Sequence, residues 1–236
     1  YVIDTDSGEI ESVCFDGEKI DGIQWNLWRA PTDNDRNQKN HWNDKFLRYV
    51  QPSVRKYAVN ENEIVFSVCL ASVSKRPIIQ ATLSYTFCKE GVQIGVRYEL
   101  QQTHYFDYLP RIGFLLKTDK KYDKVKYLAY GPYETYADSY DYAFKSEYES
   151  GVNEQYHHYV KPQESGSHYE ADYAEISDGK HCIRAEGMKS FSALPYSAET
   201  LDNTAHDDEL PETDGTYFSI DIDMSGLGSN SLKSIV

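Results

Sequence analysis

The 236-residue chain is acidic, with 38 Asp and Glu against 24 Lys and Arg and a formal net charge of −14. A field of this sign repels polyanions, so the charge disfavours a nucleic acid or an anionic membrane as partner and favours a neutral ligand. No run approaches the roughly 18 apolar residues of a membrane span, and no charged start followed by an apolar stretch predicts a signal peptide. The chain opens at Tyr1 without a methionine, which indicates a piece of a longer polypeptide.

Apolar and polar residues alternate along most of the chain, which is typical of half-buried antiparallel strands. The pattern is clearest at 92–100 and again at 218–224, where Phe218 and Ile220 alternate with polar residues such as Asp221. Further β-like runs lie, in chain order, at 9–15, 48–58, 64–70, 77–88, 108–117, 122–130, 169–177, 181–187 and 190–194.

Turn residues separate these runs, and several are acidic residues followed by glycine: Asp16-Gly17, Glu90-Gly91, Asp178-Gly179 and Asp214-Gly215. Such pairs close β-hairpins because glycine adopts positive φ without strain. The one helical candidate is 197–205, with Ser197 as its N-cap after Pro195. Many strands with at most one or two short helices predict an all-β fold, a large antiparallel sandwich in a single domain over residues 1–236.

The four cysteines, Cys14, Cys69, Cys88 and Cys182, show no CxxC or CxxH spacing and sit among β-like residues. We interpret them as buried small apolar side chains, with a zinc site or a disulfide pair as the alternative. This interpretation is compatible with a reducing compartment.

The stretch NLWRAPTDNDRN at 26–37 follows neither a helical nor a strand period, and it brings Asp33, Asn34 and Asp35 together. Calcium loops use Asp and Asn at alternate positions, but they need about six oxygen ligands and usually end in Gly and Glu, which do not follow here. We therefore favour a rigid turn, in which these side chains accept from backbone amides, over a metal site. Trp28 is expected in the core.

The stretch YGPYETYADSY at 130–140 interleaves tyrosines with carboxylates after a Gly-Pro break. Carbohydrate sites use these residue types, because aromatic rings stack on the C–H faces of a sugar while carboxylates accept from its hydroxyls. The alternative is a tyrosine-rich surface loop packed on its own sheet. The binding candidates in this stretch are Tyr130, Tyr133, Glu134, Tyr136 and Asp138.

Histidine titrates near neutrality, so the chain's histidines are candidate acid and base groups, although we expect each to be a surface or packing residue. The candidates are His157, His158, His168, His181 and His206. Glycoside hydrolysis instead needs two carboxylates that face each other, usually on a barrel, and this chain lacks the βα alternation of a barrel. We therefore predict no catalytic residue in it.

Six motifs follow one another along the chain: WRAPTDNDR at 28–36, YGPYETYADS at 130–139, QYHHYVKPQESGSH at 155–168, FSALPYSAETL at 191–201, HDDELP at 206–211 and GLGSNS at 226–231. Their order and approximate spacing resemble the C-terminal domain of the bacterial β-galactosidases of glycoside hydrolase family 2. The opening YVIDTDSGEIESVCFDGEKI is similar to the first hairpin of that domain. The resemblance therefore spans essentially the whole chain.

This resemblance implies a galactose-mutarotase-like antiparallel supersandwich and a parent enzyme that hydrolyses terminal β-D-galactosides with retention. In that family the catalytic glutamates and the Mg²⁺ and Na⁺ ions belong to other domains, chiefly a central barrel. The domain would then bind no metal of its own, pack against the other domains of the same polypeptide, and form one wall of a site for a neutral galactoside. The parent is expected to be homo-oligomeric and cytoplasmic, or periplasmic where a signal peptide precedes it.

The resemblance also implies that the loop matching 130–139 lies beside the sugar pocket, and that a tryptophan soon after the segment matching 226–231 stacks near the aglycone. That role falls here on Leu232, which keeps apolar contact but has no flat ring. Asn230 and Leu232 are the binding candidates in this segment.

Two other functions stay open at this point. The same fold hosts aldose 1-epimerases, for which His206 with Glu164 or Glu170 would supply acid and base. A carbohydrate-binding module is the third hypothesis, with 130–140 as its platform.

Overall fold

The computed structural model describes residues 1–73, 75–101 and 108–227. Within these ranges the chain forms two compact units. Unit 1 comprises 1–25 and 41–101, and unit 2 comprises 26–40 and 108–227. Whether the two units form the single domain expected over residues 1–236 stays a prediction.

Unit 1 is built on an antiparallel meander whose strands pair in chain order. Its strands are β4 (Gln51–Val59), β5 (Glu63–Ala71), β6 (Ile79–Phe87) and β7 (Val92–Leu100). They follow three others, β1 (Val2–Ile3), β2 (Ile10–Phe15) and β3 (Glu18–Asn26). Asp16 and Gly17 close the β2–β3 hairpin with φ of 48° and 82°, as the Asp-Gly pair predicts. Buried Phe66 and Leu83 lie in the core of this unit.

Unit 2 is a sandwich of two antiparallel sheets. In the first, the strand order is β8 (Arg111–Thr118), β15 (Thr216–Met224), β14 (Ser190–Leu194) and β11 (His168–Tyr169). In the second it is β10 (Phe144–Gly151), β9 (Lys124–Gly131), β12 (Tyr173–Ser177) and β13 (Cys182–Glu186). The Tyr127 ring of β9 packs against His168 and Phe191 of the facing sheet, with centroids 4.3 and 5.1 Å away.

Helices are few and short in the described ranges. The α-helices are α1 (Gln38–Asp44), α2 (Val152–Gln155) and α3 (Ala198–Asn203), and 3-10 turns lie at Asp33–Asn37, Leu47–Tyr49 and Asp207–Glu209. The all-β prediction is confirmed, with one α-helix more than the one or two expected. Ser197 caps α3 as predicted, since its hydroxyl accepts from the Thr200 amide. Within the described residues no helix has the length and apolarity needed to cross a membrane.

Two predicted strands differ from the structure. The run 169–177 is divided, because Glu170 takes a left-handed φ of 51° and ends β11 before β12 begins. The run 218–224 does not keep its alternation, since Asp221 is buried and Ile220 is only half-buried. The pairing of β15 with β8 shifts register between Asp221 and Asp223, and such a bulge turns the following side chains to the other face.

The expectation of four buried cysteines is wrong for three of them. Cys69 is buried, whereas Cys14, Cys88 and Cys182 are exposed, and all four are free thiols. Cys182 starts the edge strand β13, in which alternate residues are exposed. A cysteine among β-like residues occupies either face of a strand, so sequence context alone does not establish burial.

Candidate functional site

The segment 130–140, called here the tyrosine loop, joins β9 to β10 and is anchored by the carboxylate of Glu134. Its Oε1 accepts from the Tyr159 hydroxyl at 2.5 Å. Its Oε2 accepts from the Tyr136 hydroxyl at 3.1 Å and from the Gly166 amide at 2.8 Å. Three donors around one carboxylate hold the loop against the segment that leads into β11.

Thr135 forms a second anchor at the centre of the loop. Its amide donates to the Ser167 carbonyl at 2.7 Å, and its hydroxyl donates to the Tyr130 carbonyl at 3.2 Å. The same hydroxyl oxygen accepts from the Tyr169 amide at 2.8 Å. These bonds replace a regular ladder, so the loop has a defined backbone although it is not a strand.

The tyrosine rings of the loop divide into buried and exposed groups. Tyr136 is 3% exposed, whereas Tyr133 is 75% exposed. The tilted rings of Tyr130 and Tyr140 pack with centroids 5.1 Å apart, and the Tyr140 ring in turn lies 5.2 Å from that of Tyr169. Burial, followed by the Glu134 carboxylate, raises the pKa of the Tyr136 hydroxyl well above its ordinary value, so this group stays a donor. Tyr133 alone among the predicted loop tyrosines presents most of its ring outward.

The segment around Asp35 forms the rigid turn that the sequence predicts. The Arg29 guanidinium is fully buried and contacts Asp35 with Nη2 2.9 Å from Oδ1 and 3.1 Å from Oδ2. Asp35 Oδ2 also accepts from the amide and the hydroxyl of Thr32, and Oδ1 accepts from Tyr108. Because these donors occupy both carboxylate oxygens, the residues fit a structural turn and not a cation site. Asp33 lies at the surface, where its amide donates to Gln163.

The same arginine reaches the residues that follow β15. Arg29 Nη1 donates to the Ser225 carbonyl at 2.9 Å, and Nη2 donates to the Gly226 carbonyl at 3.2 Å. The next amide, that of Leu227, donates to Asp138 Oδ1 at 3.0 Å. The exit of β15, the turn around Asp35 and the tyrosine loop therefore meet at one place in unit 2.

A second buried charge cluster lies on the first sheet of unit 2. Arg111 Nη2 donates to Glu164 Oε1 at 3.0 Å, and its Nε lies 2.8 Å from Asp221 Oδ1. Asp221 Oδ2 accepts from the Ser190 hydroxyl at 2.9 Å. Burial raises the pKa of Asp221 to about 6 and also raises that of Glu164, in both cases against the pull of Arg111. For both carboxylates the effect of burial on the pKa is therefore larger than that of the arginine they share.

The histidines lie where surface and packing roles would place them. His157 and His206 are exposed, and His158 contacts Asp207 with Nδ1 2.7 Å from Oδ2. His181 is buried against Asp178. His168 lies between the sheets of unit 2, where burial lowers its pKa to about 4 and keeps it neutral.

The residues proposed for an epimerase differ in accessibility. Glu164 is 2% exposed and bonded to Arg111, while Glu170 and His206 lie at the surface. A general base must reach its substrate, and the Glu164 carboxylate is instead enclosed by protein.

Within the described residues, no group of three or more His, Cys, Asp or Glu is arranged to hold a metal ion.

Of the predicted binding candidates, the structure places Tyr133 and Asp138 at the surface and turns the Glu134 carboxylate and Tyr136 inward. Tyr130 is half-buried, with its ring packed against that of Tyr140. Asn230 and Leu232 lie outside the described residues.

Sequence reasoning missed the two buried arginines, Arg29 and Arg111, as well as their partner Asp221. Arg29 lies in the stretch 26–37 beside Trp28, and an arginine next to a tryptophan expected in the core is the signal that indicates its burial. The alternating pattern at 218–224 predicts that Asp221 is exposed, so no local sequence feature indicates its burial.

Comparison with known proteins assigns the chain to a family. The sequence profile of a family described as "Beta galactosidase small chain" matches residues 1–236. The "Beta-galactosidase" of Staphylococcus xylosus is 33% identical over 239 residues, which cover 98% of this chain and 24% of that protein. The "Beta-galactosidase" of Actinobacillus pleuropneumoniae is also 33% identical, over 98% of this chain and 23% of its own length. That of Priestia megaterium (strain DSM 319 / IMG 1521) is 24% identical over 97% of this chain and 23% of its own length.

The chain thus spans about a quarter of the length of the curated relatives it matches. The profile match covers every residue of the chain, and the resemblance drawn from its six motifs is confirmed. The chain belongs to the β-galactosidase small-chain family.

Proposed function

We propose that this chain is a non-catalytic portion of a β-galactosidase that hydrolyses terminal, non-reducing β-D-galactose residues of lactose-type substrates with retention. In this role the chain forms one wall of the active site, while the reacting glutamates belong to another part of the same polypeptide. The names of the relatives support this assignment, and so does their length, about four times that of this chain.

The observation that carries the proposal is the contact between Leu227 and Asp138. The resemblance implies sugar-site roles for two segments that are far apart in sequence, the tyrosine loop and the segment that begins at Gly226. In the structure the Leu227 amide donates to Asp138 across 89 positions of sequence, so the start of the second segment is a neighbour of the tyrosine loop. The net charge of −14 agrees with a neutral substrate, which such a field does not repel.

We assign the Mg²⁺ and Na⁺ ions that the resemblance implies to other parts of the polypeptide. In the turn at Asp33–Asn37, the buried carboxylate of Asp35 is already occupied by Arg29, Thr32 and Tyr108. The homo-oligomeric state and the cytoplasmic location that the resemblance implies stay predictions.

Turnover of o-nitrophenyl-β-D-galactoside tests the proposal. The polypeptide that carries this chain is expected to hydrolyse it, and the isolated chain is expected to show no turnover above buffer. Substantial turnover by the isolated chain would contradict its non-catalytic assignment. Accelerated mutarotation of galactose by the isolated chain would favour an epimerase instead.

A surface variant of the full polypeptide tests the wall itself. Tyr133→Ala removes an exposed ring from the tyrosine loop, and KM is expected to rise about threefold to tenfold if that ring contacts the sugar. Tyr49→Ala removes an exposed tyrosine of unit 1 and serves as the matched control. Equal KM values for the two variants would remove Tyr133 from the site.

A further inference from the structure

The motif at 155–168 has no role in the proposed function, although it lies next to the tyrosine loop. Its residues 156–166, called here the strap, form neither a helix nor a strand and lead from the end of α2 toward β11. Tyr156 of the strap packs with Leu194 and with Leu201 of α3 in a buried apolar cluster. The strap and α3 therefore share one small core within unit 2.

The ammonium group of Lys161 fastens the strap to the C-terminal end of α3. Its Nζ lies within hydrogen-bond distance of four carbonyl oxygens, those of Thr204 at 2.8 Å, Asp202 at 3.1 Å, Leu201 at 3.2 Å and Pro162 at 3.2 Å. The last carbonyls of a helix have no partner inside the helix and carry partial negative charge, so a cation is favoured there. Burial lowers the pKa of Lys161, because its ammonium has exchanged part of its water for these carbonyls.

Two residues before Lys161, Tyr159 fastens the same strap to the tyrosine loop. Its hydroxyl donates to Glu134 Oε1 at 2.5 Å, and the Gly166 amide at the end of the strap donates to Glu134 Oε2 at 2.8 Å. Burial, followed by Glu134, raises the pKa of the Tyr159 hydroxyl, so this group stays a donor. The neighbour of Glu134 in the chain is Tyr133, whose ring is 75% exposed. The strap thus holds the part of the loop that presents this ring.

We propose that Lys161 is a positioning residue, which holds the strap on α3 so that Tyr159 keeps the tyrosine loop and its Tyr133 ring in place at the wall of the substrate site. This inference rests on the proposed function. Tyr159 and Lys161 are two residues apart, a span of at most about 7 Å. With so little chain between the two attachments, release of the strap from α3 displaces the hydroxyl that holds Glu134.

The test uses the full polypeptide and o-nitrophenyl-β-D-galactoside. Lys161→Met keeps an unbranched apolar stem without the ammonium, and it is expected to raise KM about threefold to tenfold while kcat changes less than about twofold, because the wall is misplaced and the reacting groups are untouched. Lys161→Arg keeps a cation with N–H donors and should give an intermediate KM. Lys180→Met replaces an exposed lysine of unit 2 and is the matched control, which should leave both constants unchanged.

Tyr159→Phe breaks the same route one step nearer the loop. It removes a single hydroxyl and leaves the contacts of Lys161 with α3 intact, so it tests the route even if Lys161→Met does not fold. Its KM should rise about threefold to tenfold, and a KM within twofold of the unmodified polypeptide would overturn the proposal. The double variant Lys161→Met/Tyr159→Phe should have a KM no higher than the larger of the two single values, since both act through one contact. Multiplied KM effects would show that the two side chains act independently.

Hydrogen exchange separates this inference from the proposed function. The Gly166 amide, which donates to Glu134, is expected to exchange at least about fivefold faster in Lys161→Met and in Tyr159→Phe, and at an unchanged rate in Lys180→Met. Unchanged exchange in the first two variants would show that the strap does not hold the loop. Faster exchange with an unchanged KM would contradict the positioning role. A complete lack of turnover by the unmodified polypeptide would instead contradict the proposed function, and exchange alone would then decide whether Lys161 holds the loop through the strap.

Discussion

Arg111 and Arg184 each bridge two carboxylates, but one lies in the interior and the other at the surface. Arg111 contacts Glu164 and Asp221, and all three side chains are almost completely buried. Arg184 contacts Glu175 and Glu186 at 2.6 Å, and its side chain is 43% exposed. Water solvates the second group and cannot solvate the first, so the same chemistry should have different energetic weight at the two places.

We expect Arg111→Met to lower the free energy of unfolding by about 3–5 kcal/mol, because it removes the cation that contacts two buried carboxylates. Arg184→Met, the matched control, should lower it by about 1 kcal/mol or less, since solvent screens its partners. Urea denaturation of the chain measures both changes. Equal losses would show that the buried cluster adds nothing beyond a surface ion pair.

The carboxyl group of Asp221 gives a pH dependence of definite sign. Burial raises its folded pKa to about 6, above the unfolded value of about 4. The folded state therefore binds this proton more tightly, and the contribution of the group to stability is present below pH 4 and is lost as pH rises toward 6. The stability of the unmodified chain relative to Asp221→Asn should fall by up to about 3 kcal/mol across that interval.

Denaturation of both chains at several pH values measures this difference, in which the titrations common to both cancel. The titration of His168 changes stability in the opposite direction, and it is one of those common to both chains. Its lowered pKa makes the folded state weaker as pH falls from about 6.5 to about 4. A difference that stays constant with pH would contradict the raised pKa of Asp221.

The position of the tyrosine loop depends on the carboxylate of Glu134. Three donors converge on its two oxygens. A glutamine has only one oxygen, so its amide N–H₂ would face at least one of these donors. We expect Glu134→Gln to lower the free energy of unfolding by about 1–3 kcal/mol, the cost of a donor without an acceptor in a half-buried place. Glu212→Gln, at an exposed position, is the control. Equal midpoints in urea denaturation would contradict the anchoring role.

The elements that could be predicted from sequence are those whose signal is local. β7 coincides with the predicted run 92–100, because alternation persists along the whole strand. The start of α3 was predicted from Ser197, since a cap acts within four residues. β10 was not predicted, because it lies at a sheet edge. Most of its side chains are exposed there, and its sequence is polar on both faces and shows no apolar alternation.

The candidate site was predictable in part, for the same reason. The tyrosine loop was identified by its composition, and the turn at Asp35 by its Asp and Asn residues. The contacts that organise them were not, since Arg29 reaches Ser225 across 196 positions and Arg111 reaches Glu164 across 53. No local pattern specifies which buried carboxylate a distant arginine will meet.

The dominant electrostatic feature of the chain is its excess of 14 negative charges. Like charges on one folded chain repel each other, and this repulsion falls when unfolding separates them. Dissolved salt screens charges that lie more than about 10 Å apart at 0.1 M, so it should relieve the repulsion without altering buried pairs. The melting temperature is therefore expected to increase with salt at neutral pH.

We expect a rise of about 2–4 °C in Tm when NaCl increases from about 20 to about 200 mM at neutral pH. The control is the same chain near pH 4.9, its isoelectric point by composition, where positive and negative charges balance and the salt effect should vanish. Differential scanning calorimetry at both pH values measures the two slopes. Equal slopes would mean that salt acts through hydration and not through net charge, because the net charge is large at neutral pH and close to zero at the isoelectric point.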